Sequence, residues 1–327
     1  MSDGMGAGPR AGMIIVALAM IGSASIALHF GHFGSVAKAS PAPIPAAQTT
    51  ASAQVAAPMA VPLNARFQPP AYDALPAGQF GDAVKLGRDI FRHTPQFAGQ
   101  YIGNTLSCSN CHLDAGRLAG SAPMWASYVA YPAYRKKNDK VNTFGERLQG
   151  CFRFSENGKA PALDSKVMVA LESYSYWMST KAPTGAKMPG RGYPDLPKPA
   201  LPADYHRGEA VYAQNCALCH EANGAGQQAG GKTVFPALWG RNSFNWGAGM
   251  GSIKNAAAFI KANMPLGVQG SLTVQQAWDV AAYMDSQDRP QDPRYLGNVA
   301  ATRAKFHNSP MSMYGKSVDG HILGSTP

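Results

Sequence analysis

The chain has 327 residues, a formal net charge of +10 and only 15 % charged residues. That length is typical of two domains, and 35 glycines with 25 prolines favour small, loop-rich folds. A basic chain that stays in the cytoplasm is a candidate for nucleic-acid binding. The N-terminus indicates export instead, so we expect no nucleic-acid partner and attribute the charge to an anionic substrate or an acidic partner.

The N-terminal residues have the pattern of an export segment. Arg10 precedes a largely apolar run over residues 13–29, whose length lies between that of a signal-peptide core and that of a membrane span. We therefore predict residues 1–30 as either a cleaved signal peptide or a retained membrane anchor, and we expect the rest of the chain in the periplasm. Residues 31–65 are rich in Ala and Pro and predict a disordered linker.

Two Cys-x-x-Cys-His pentads, Cys108–His112 and Cys216–His220, predict the cofactor. In this pattern two thiols bond a porphyrin and the histidine binds its iron, as in c-type haem. A zinc site or a redox dithiol also uses paired cysteines, but neither requires the trailing histidine. The sequence thus predicts two covalently attached haem c groups. Their attachment residues are Cys108, Cys111, Cys216 and Cys219, and their proximal iron ligands are His112 and His220.

Similar helical segments precede both pentads. Asp82–Phe91 has apolar residues at helical spacing, and Gly208–Tyr212 repeats the pattern of its end, which predicts an internal duplication. A second helix is expected over Leu272–Ser286 with Thr273 as its cap. We predict a mostly α-helical protein built from two tandem cytochrome c-like haem domains. The first domain, the second domain and a C-terminal tail occupy residues 66–200, 201–290 and 291–327.

The ligand opposite each histidine determines the potential of the iron. In the second domain Met264 is our candidate, because it follows a predicted helix and precedes Pro265. Met250, between two glycines, is the alternative. In the first domain Met188 would be the corresponding methionine, since it too precedes a proline.

Cys151 remains once the pentad cysteines are assigned. Buried, inert thiols are common, but a free thiol in an oxidising compartment calls for a reason. Arg147, Arg153 and Lys159 lie near it in sequence and favour the thiolate. We predict that Cys151 is a ligand of the first iron. A thiolate would give that iron a lower reduction potential than a methionine-bound iron. Electrons would therefore pass from the first haem to the second.

The sequence around Cys151 resembles the dihaem thiosulfate dehydrogenases, which form tetrathionate and in some members reduce it. The resemblance covers residues 79–287 and implies that two thiosulfate ions are coupled at a His/Cys haem. It also implies that a His/Met haem passes the electrons to a soluble cytochrome c or similar acceptor. The matching segments are Gly103–Gly116, Glu146–Lys159, Tyr176–Ser179 and Gly190–Pro194.

The resemblance also implies site residues. It places Arg147 and Ser155 beside the first haem and Cys151, with Arg135 and Lys159 as weaker correspondences. Thiosulfate carries two negative charges, and the planar fork of an arginine suits its sulfonate oxygens. For Lys136 and Lys137 we expect an ordinary solvated surface instead.

Two other functions fit the same pair of haems. One is an electron carrier with no substrate, in which Cys151 is a structural ligand. The other is a sulfur-oxidising cytochrome with a His/Cys haem that acts on the thiol of a carrier protein. The first predicts no response to thiosulfate, and the second requires a partner protein for reduction.

Overall fold

The computed structural model describes residues 67–325, which lie within one compact unit spanning Pro58–Pro327. The predicted export segment and the whole predicted linker lie outside the described residues. Within residues 67–325, no helix is long and apolar enough to cross a membrane.

The described residues are mostly helical, as predicted, and their short strands pair as antiparallel hairpins, β1 with β2, β3 with β4 and β5 with β6. In chain order the elements are α1 (Gly78–Arg92), α2 (Thr94–Ala98), α3 (Leu113–Gly116), α4 (Met124–Tyr128), β1 (Ala133–Arg135), β2 (Lys140–Asn142), α5 (Phe144–Gly150), α6 (Lys166–Met178), α7 (Tyr205–Asn215), α8 (Ala217–His220), β3 (Gln227–Ala229), β4 (Lys232–Phe235), α9 (Ile253–Asn263), α10 (Val274–Asp285), α11 (Val299–Phe306), β5 (Ser317–Val318) and β6 (His321–Ile322).

The helix that precedes each pentad crosses a later helix at a glycine. Helix α1 packs on α6, and α7 packs on α10. A Cβ added to Gly87 would lie 2.0 Å from the carbonyl oxygen of Ala170, and one added to Gly208 would lie 2.0 Å from that of Asp279. The two glycines occupy corresponding positions in the repeated sequence pattern. The predicted duplication is therefore present in the packing of the helices.

Side-chain caps fix the start of the helices that carry the sites. At α5, Thr143 and Glu146 form a capping box, in which each side chain accepts a hydrogen bond from the other residue's backbone amide. Thr273 and Gln276 form the same arrangement at α10, which confirms the predicted cap.

The buried apolar side chains form two clusters. Trp125 and Tyr174 are fully buried in the cluster around α1 and α6. Trp246 and Tyr314 are buried in the cluster around α7, α9 and α10. Because Tyr314 comes from the predicted C-terminal tail, the tail contributes to this core.

Candidate active site and second haem site

A cavity of about 490 Å³ contains the first pentad. Cys108, Cys111 and His112 line it together with Cys151. Each cysteine of the described residues is a free thiol. The fold therefore brings Cys151 to the same cavity as the first pentad, and its binding to the iron stays a prediction.

Both pentad histidines are held in the form that iron binding requires. Nδ1 of His112 lies 2.7 Å from the carbonyl oxygen of Ala122, and Nδ1 of His220 lies 2.9 Å from that of Pro236. A carbonyl oxygen only accepts, so each Nδ1 donates and each Nε2 keeps its lone pair for a metal. Burial lowers the pKa of His112 to about 4 and also lowers the pKa of His220, so both rings are neutral.

The carbonyl that holds His112 is itself fixed by the segment between the two domains. Ala122 has a φ of 52°, and its amide donates to the carbonyl oxygen of Gly192 at 2.9 Å. The amide of Gly120 donates to the carbonyl oxygen of Gly190 at 2.7 Å. Tyr193, on the same segment, lines the cavity, and burial raises the pKa of its hydroxyl. Sequence reasoning used this segment as a family motif but did not assign Tyr193 to the site.

Arg147 lies against Cys151 at the end of α5. The helix continues as a wider turn over Cys151–Ser155, and NH1 of Arg147 donates to Sγ of Cys151 at 3.1 Å. The neighbouring sulfur raises the pKa of Arg147, so the guanidinium remains charged. The two side chains are thus one helical turn apart, and a charge-assisted bond of this kind is strongest to an ionised sulfur.

Ser155 and Arg135 line the same cavity, whereas Lys159 does not. The guanidinium carbon of Arg135 lies 5.8 Å from the ring centroid of Tyr131. Lys159 is exposed, and its amide donates to the carbonyl oxygen of Tyr101. Its side chain therefore lies away from the cavity to which the resemblance assigned it.

Lys137 is exposed, as expected, but it also lines the cavity, which the sequence did not predict. Its Nζ donates to the carbonyl oxygen of Gly247 and lies 4.1 Å from the ring centroid of Phe154. Burial is the main reason that its pKa falls to about 7, and the charges of Arg294 and Arg147 lower it further. The sequence contained no local signal for this position, because its contacts come from residues far along the chain.

Glu156 is a second cavity residue that sequence reasoning missed. Its side chain is buried, and Oε2 has no hydrogen-bond partner among the described residues. Burial raises its pKa to about 8, so the carboxyl group is largely protonated at neutral pH.

In the second domain, Met264 directly follows α9 and packs against the core cluster that also contacts Cys216. Met250, the alternative, packs against the same cluster but also lines the cavity of the first pentad, which Met264 does not. Met188 is buried in the cluster of the first domain. Met264 therefore remains our candidate for the second iron.

Each pentad thus combines two free thiols with a neutral histidine whose Nε2 is available, a donor set that fits covalent haem c. The cytochrome c domain of the SoxA/TsdA family matches residues 96–184. The family model for cytochrome C oxidase, cbb3-type, subunit III matches residues 203–284. The fold and the two sites define a c-type cytochrome with two haem domains.

Comparison with known proteins identifies the family. The thiosulfate dehydrogenase of Thiomonas intermedia (strain K12) is 64 % identical over 265 residues, which cover 81 % of this chain and 84 % of that protein. The thiosulfate dehydrogenase of Stutzerimonas stutzeri (strain A1501) is 56 % identical, over 79 % of this chain and 85 % of that protein. This chain therefore belongs to the thiosulfate dehydrogenase family, which confirms the resemblance inferred from the sequence.

A solved structure agrees with this assignment. The thiosulfate dehydrogenase TsdBA from Marichromatium purpuratum, in its as-isolated form, is 52 % identical and superposes with a TM-score of 0.78. The match covers 80 % of this chain and 58 % of that longer chain. The shared fold therefore includes both haem domains of this protein but only part of that one.

Proposed function

We propose that this protein is a periplasmic thiosulfate dehydrogenase that couples two thiosulfate ions into tetrathionate at the first haem cavity. The observation that carries the proposal is the convergence of Cys151, its partner Arg147 and further cations on the pentad cavity. Membership of the thiosulfate dehydrogenase family supports the same substrate.

The reaction forms one bond between the sulfane sulfurs of two thiosulfate ions and breaks none. Two electrons leave the pair, and no proton is taken up or released. His112 with Cys151 would hold the first haem iron and His220 with Met264 the second, and the two irons would supply one-electron acceptors that carry electrons from the first site to the second. A soluble cytochrome c or similar protein then accepts them, and the reverse direction would form thiosulfate from tetrathionate.

Charge is the main obstacle that the protein has to overcome. At ~5 Å, two unit charges repel by roughly 3 kcal/mol with an effective dielectric constant near 20, and two dianions contain several such pairs. Arg147 and Arg135 line the cavity and can offset this repulsion. Arg147 has a second role, because its hydrogen bond to Sγ orients Cys151.

Rapid mixing of the oxidised protein with thiosulfate alone tests the proposal. We expect reduction of both haems and tetrathionate as the product, with turnover once a cytochrome acceptor is added. An electron carrier without a substrate would give no reduction. A cytochrome that acts on a carrier-protein thiol would be reduced only when that partner is present.

Export is a separate part of the proposal. It rests on the apolar run over residues 13–29 and on the need to attach haem outside the cytoplasm. Fractionation of cells that produce the full chain, followed by N-terminal sequencing, distinguishes a cleaved periplasmic form from one tethered to the inner membrane. Recovery of haem-free protein from the cytoplasm would contradict export.

A further inference from the structure

Four separate segments of the chain meet at one edge of the first haem cavity. Lys137 comes from the turn between β1 and β2, and Phe154 comes from the turn that follows Cys151. Gly247 belongs to the loop before α9, and Arg294 belongs to the C-terminal tail. The tail lies beyond residues 203–284, where the second cytochrome family model matches, so its contact with the first site is unexpected.

These segments lie so close together that no side chain fits at Gly247. A Cβ there would lie 2.5 Å from Cδ1 of Phe154 and 3.1 Å from Oδ2 of Asp292. The carbonyl oxygen of Gly247 accepts the hydrogen bond from Nζ of Lys137. Because an ammonium group has three donors, this contact fixes Lys137 and leaves two donors for another ligand.

The C-terminal tail provides a second contact that fixes the position of Lys137. The guanidinium carbon of Arg294 lies 4.9 Å from the ring centroid of Phe154, and Nζ of Lys137 lies 4.1 Å from the same centroid. Arg294 is tied to Asp292 by bonds of 2.9 and 2.6 Å, and Asp292 also lies 2.9 Å from Nε2 of His307. The ring of Phe154 therefore packs against Arg294, which Asp292 fixes in place. Lys137 packs against the same ring.

We infer that Lys137 is a substrate-binding cation of the first haem cavity, and that Arg294 of the C-terminal tail positions it through the ring of Phe154. The inference rests on the proposed function, because it adds a cation for the same dianionic substrate. Arg135 ends β1 and Lys137 lies in the turn that follows it, and both line the cavity together with Arg147. Cations on the hairpin and on α5 can thus reach two dianions at once.

The surroundings of Lys137 also predict how the site responds to pH. The charged groups that act on it are Arg294 and Asp292 from the tail, Arg147 from α5 and Cys151 from the following turn. Because its pKa is lowered to about 7, Lys137 loses its charge as the pH rises through that value. The KM for thiosulfate should therefore rise above pH 7, whereas an arginine at this position would stay charged and flatten the profile.

Equilibrium binding of thiosulfate to the fully reduced holoprotein tests the inference without turnover, and calorimetry measures it. Lys137→Met should weaken binding roughly tenfold to a hundredfold, as expected for one lost charge-assisted contact. Lys137→Arg should restore most of the affinity. Lys136→Met removes the same charge from the neighbouring exposed residue and should have little effect.

Arg294→Met tests the part played by the tail. We expect KM to rise while kcat changes little, because Lys137 loses its position but the first haem keeps its ligands. Arg303→Met is the matched control, since Arg303 also braces the tail, through the carbonyl oxygen of Tyr314, without contacting Phe154. If Arg303→Met raises KM equally, the tail acts only through stability and the positioning role is wrong.

The binding results distinguish a failure of this inference from a failure of the proposed function. Wild-type binding that Lys137→Met leaves unchanged would overturn the role of Lys137 and leave the proposed function intact. A wild-type protein that neither binds thiosulfate nor is reduced by it would overturn both.

Discussion

The two haem domains share one scaffold and differ in the residues that would complete each iron site. In each, the helix before the pentad crosses a later helix at a glycine, and a backbone carbonyl fixes Nδ1 of the pentad histidine. In the second domain α9 leads directly to Met264. In the first, the β1–β2 hairpin and α5 supply Cys151 and a set of cations. The shared helices and the fixed histidine suit both domains to attach a haem. The hairpin and α5 of the first domain add the cations that suit its site to an anionic substrate.

Counted from the corresponding residues Phe91 and Tyr212, the first domain has 13 additional residues before its pentad. They include α2, in which buried Thr94 donates through Oγ1 to the carbonyl oxygen of Ile90 at 2.9 Å and accepts from the amide of Cys108 at 3.2 Å. The carbonyl oxygen of Tyr101, just after α2, lies 2.0 Å from where a Cβ on Gly158 would be. The additional residues thus contact both the pentad and the segment that follows Cys151.

Removing the thiol that distinguishes the first site should have the largest effect. Cys151→Ala should retain both covalent haems, because the pentads are unchanged, but lose the thiolate signature and nearly all turnover with thiosulfate. Electron paramagnetic resonance and steady-state kinetics measure the two results. A variant spectrum identical to that of the wild type would mean that another residue binds the first iron.

Arg147→Gln removes the cation beside that thiol. Loss of one charge-assisted contact of roughly 1.5–3 kcal/mol should lower thiosulfate turnover by about one to two decades. Because NH1 bonds Sγ of Cys151, the signal of the first haem should shift while that of the second stays the same. High salt should slow the wild type by screening the same attraction. Unchanged turnover would leave Arg135 as the main anion contact.

The contrast between the domains also explains what the sequence could predict. The pentads, the cap at Thr273 and the pairing of Arg147 with Cys151 depend on residues a few positions apart, so local patterns reveal them. The place of Lys137 in the cavity was missed because its partner, Gly247, lies 110 positions away. Lys159 was assigned to the site by the family resemblance, but it is exposed and does not line the cavity.

The contacts between domains were missed for the same reason. Nδ2 of Asn245 donates to the carbonyl oxygen of Arg153 at 2.8 Å and to Oδ1 of Asn157 at 2.9 Å. Nδ2 of Asn104 donates to the carbonyl oxygens of Ser155 and Ser243. These asparagines hold the segment after Cys151 against the second domain, and no periodic or motif signal marks an asparagine with this role.

Removing the proposed methionine ligand of the second iron tests the comparison from the other domain. Met264→Gly should abolish the long-wavelength methionine–iron absorption band and lower the potential of the second haem, because a thioether ligand favours the reduced iron. The first haem should keep its thiolate signal. Met250→Gly is the control, since Met250 lines the first cavity and its loss should leave the band in place. If Met250→Gly removes the band instead, our assignment of Met264 is wrong.

The smallest effect should come from the scaffold that both domains share. In Gly208→Ala and Gly87→Ala the new methyl group would meet a backbone carbonyl oxygen at 2.0 Å, so the paired helices must move apart. Overpacking of this kind costs typically 1–3 kcal/mol of unfolding free energy, and we expect each variant to fall in that range with its haems attached. Gly99→Ala is the matched control, because its Cβ would have no atom within 4 Å. Denaturant unfolding of the three holoproteins measures the difference. Equal stability of all three would show that the crossing tolerates a methyl group, so that the two glycines are not needed for the close approach of the paired helices.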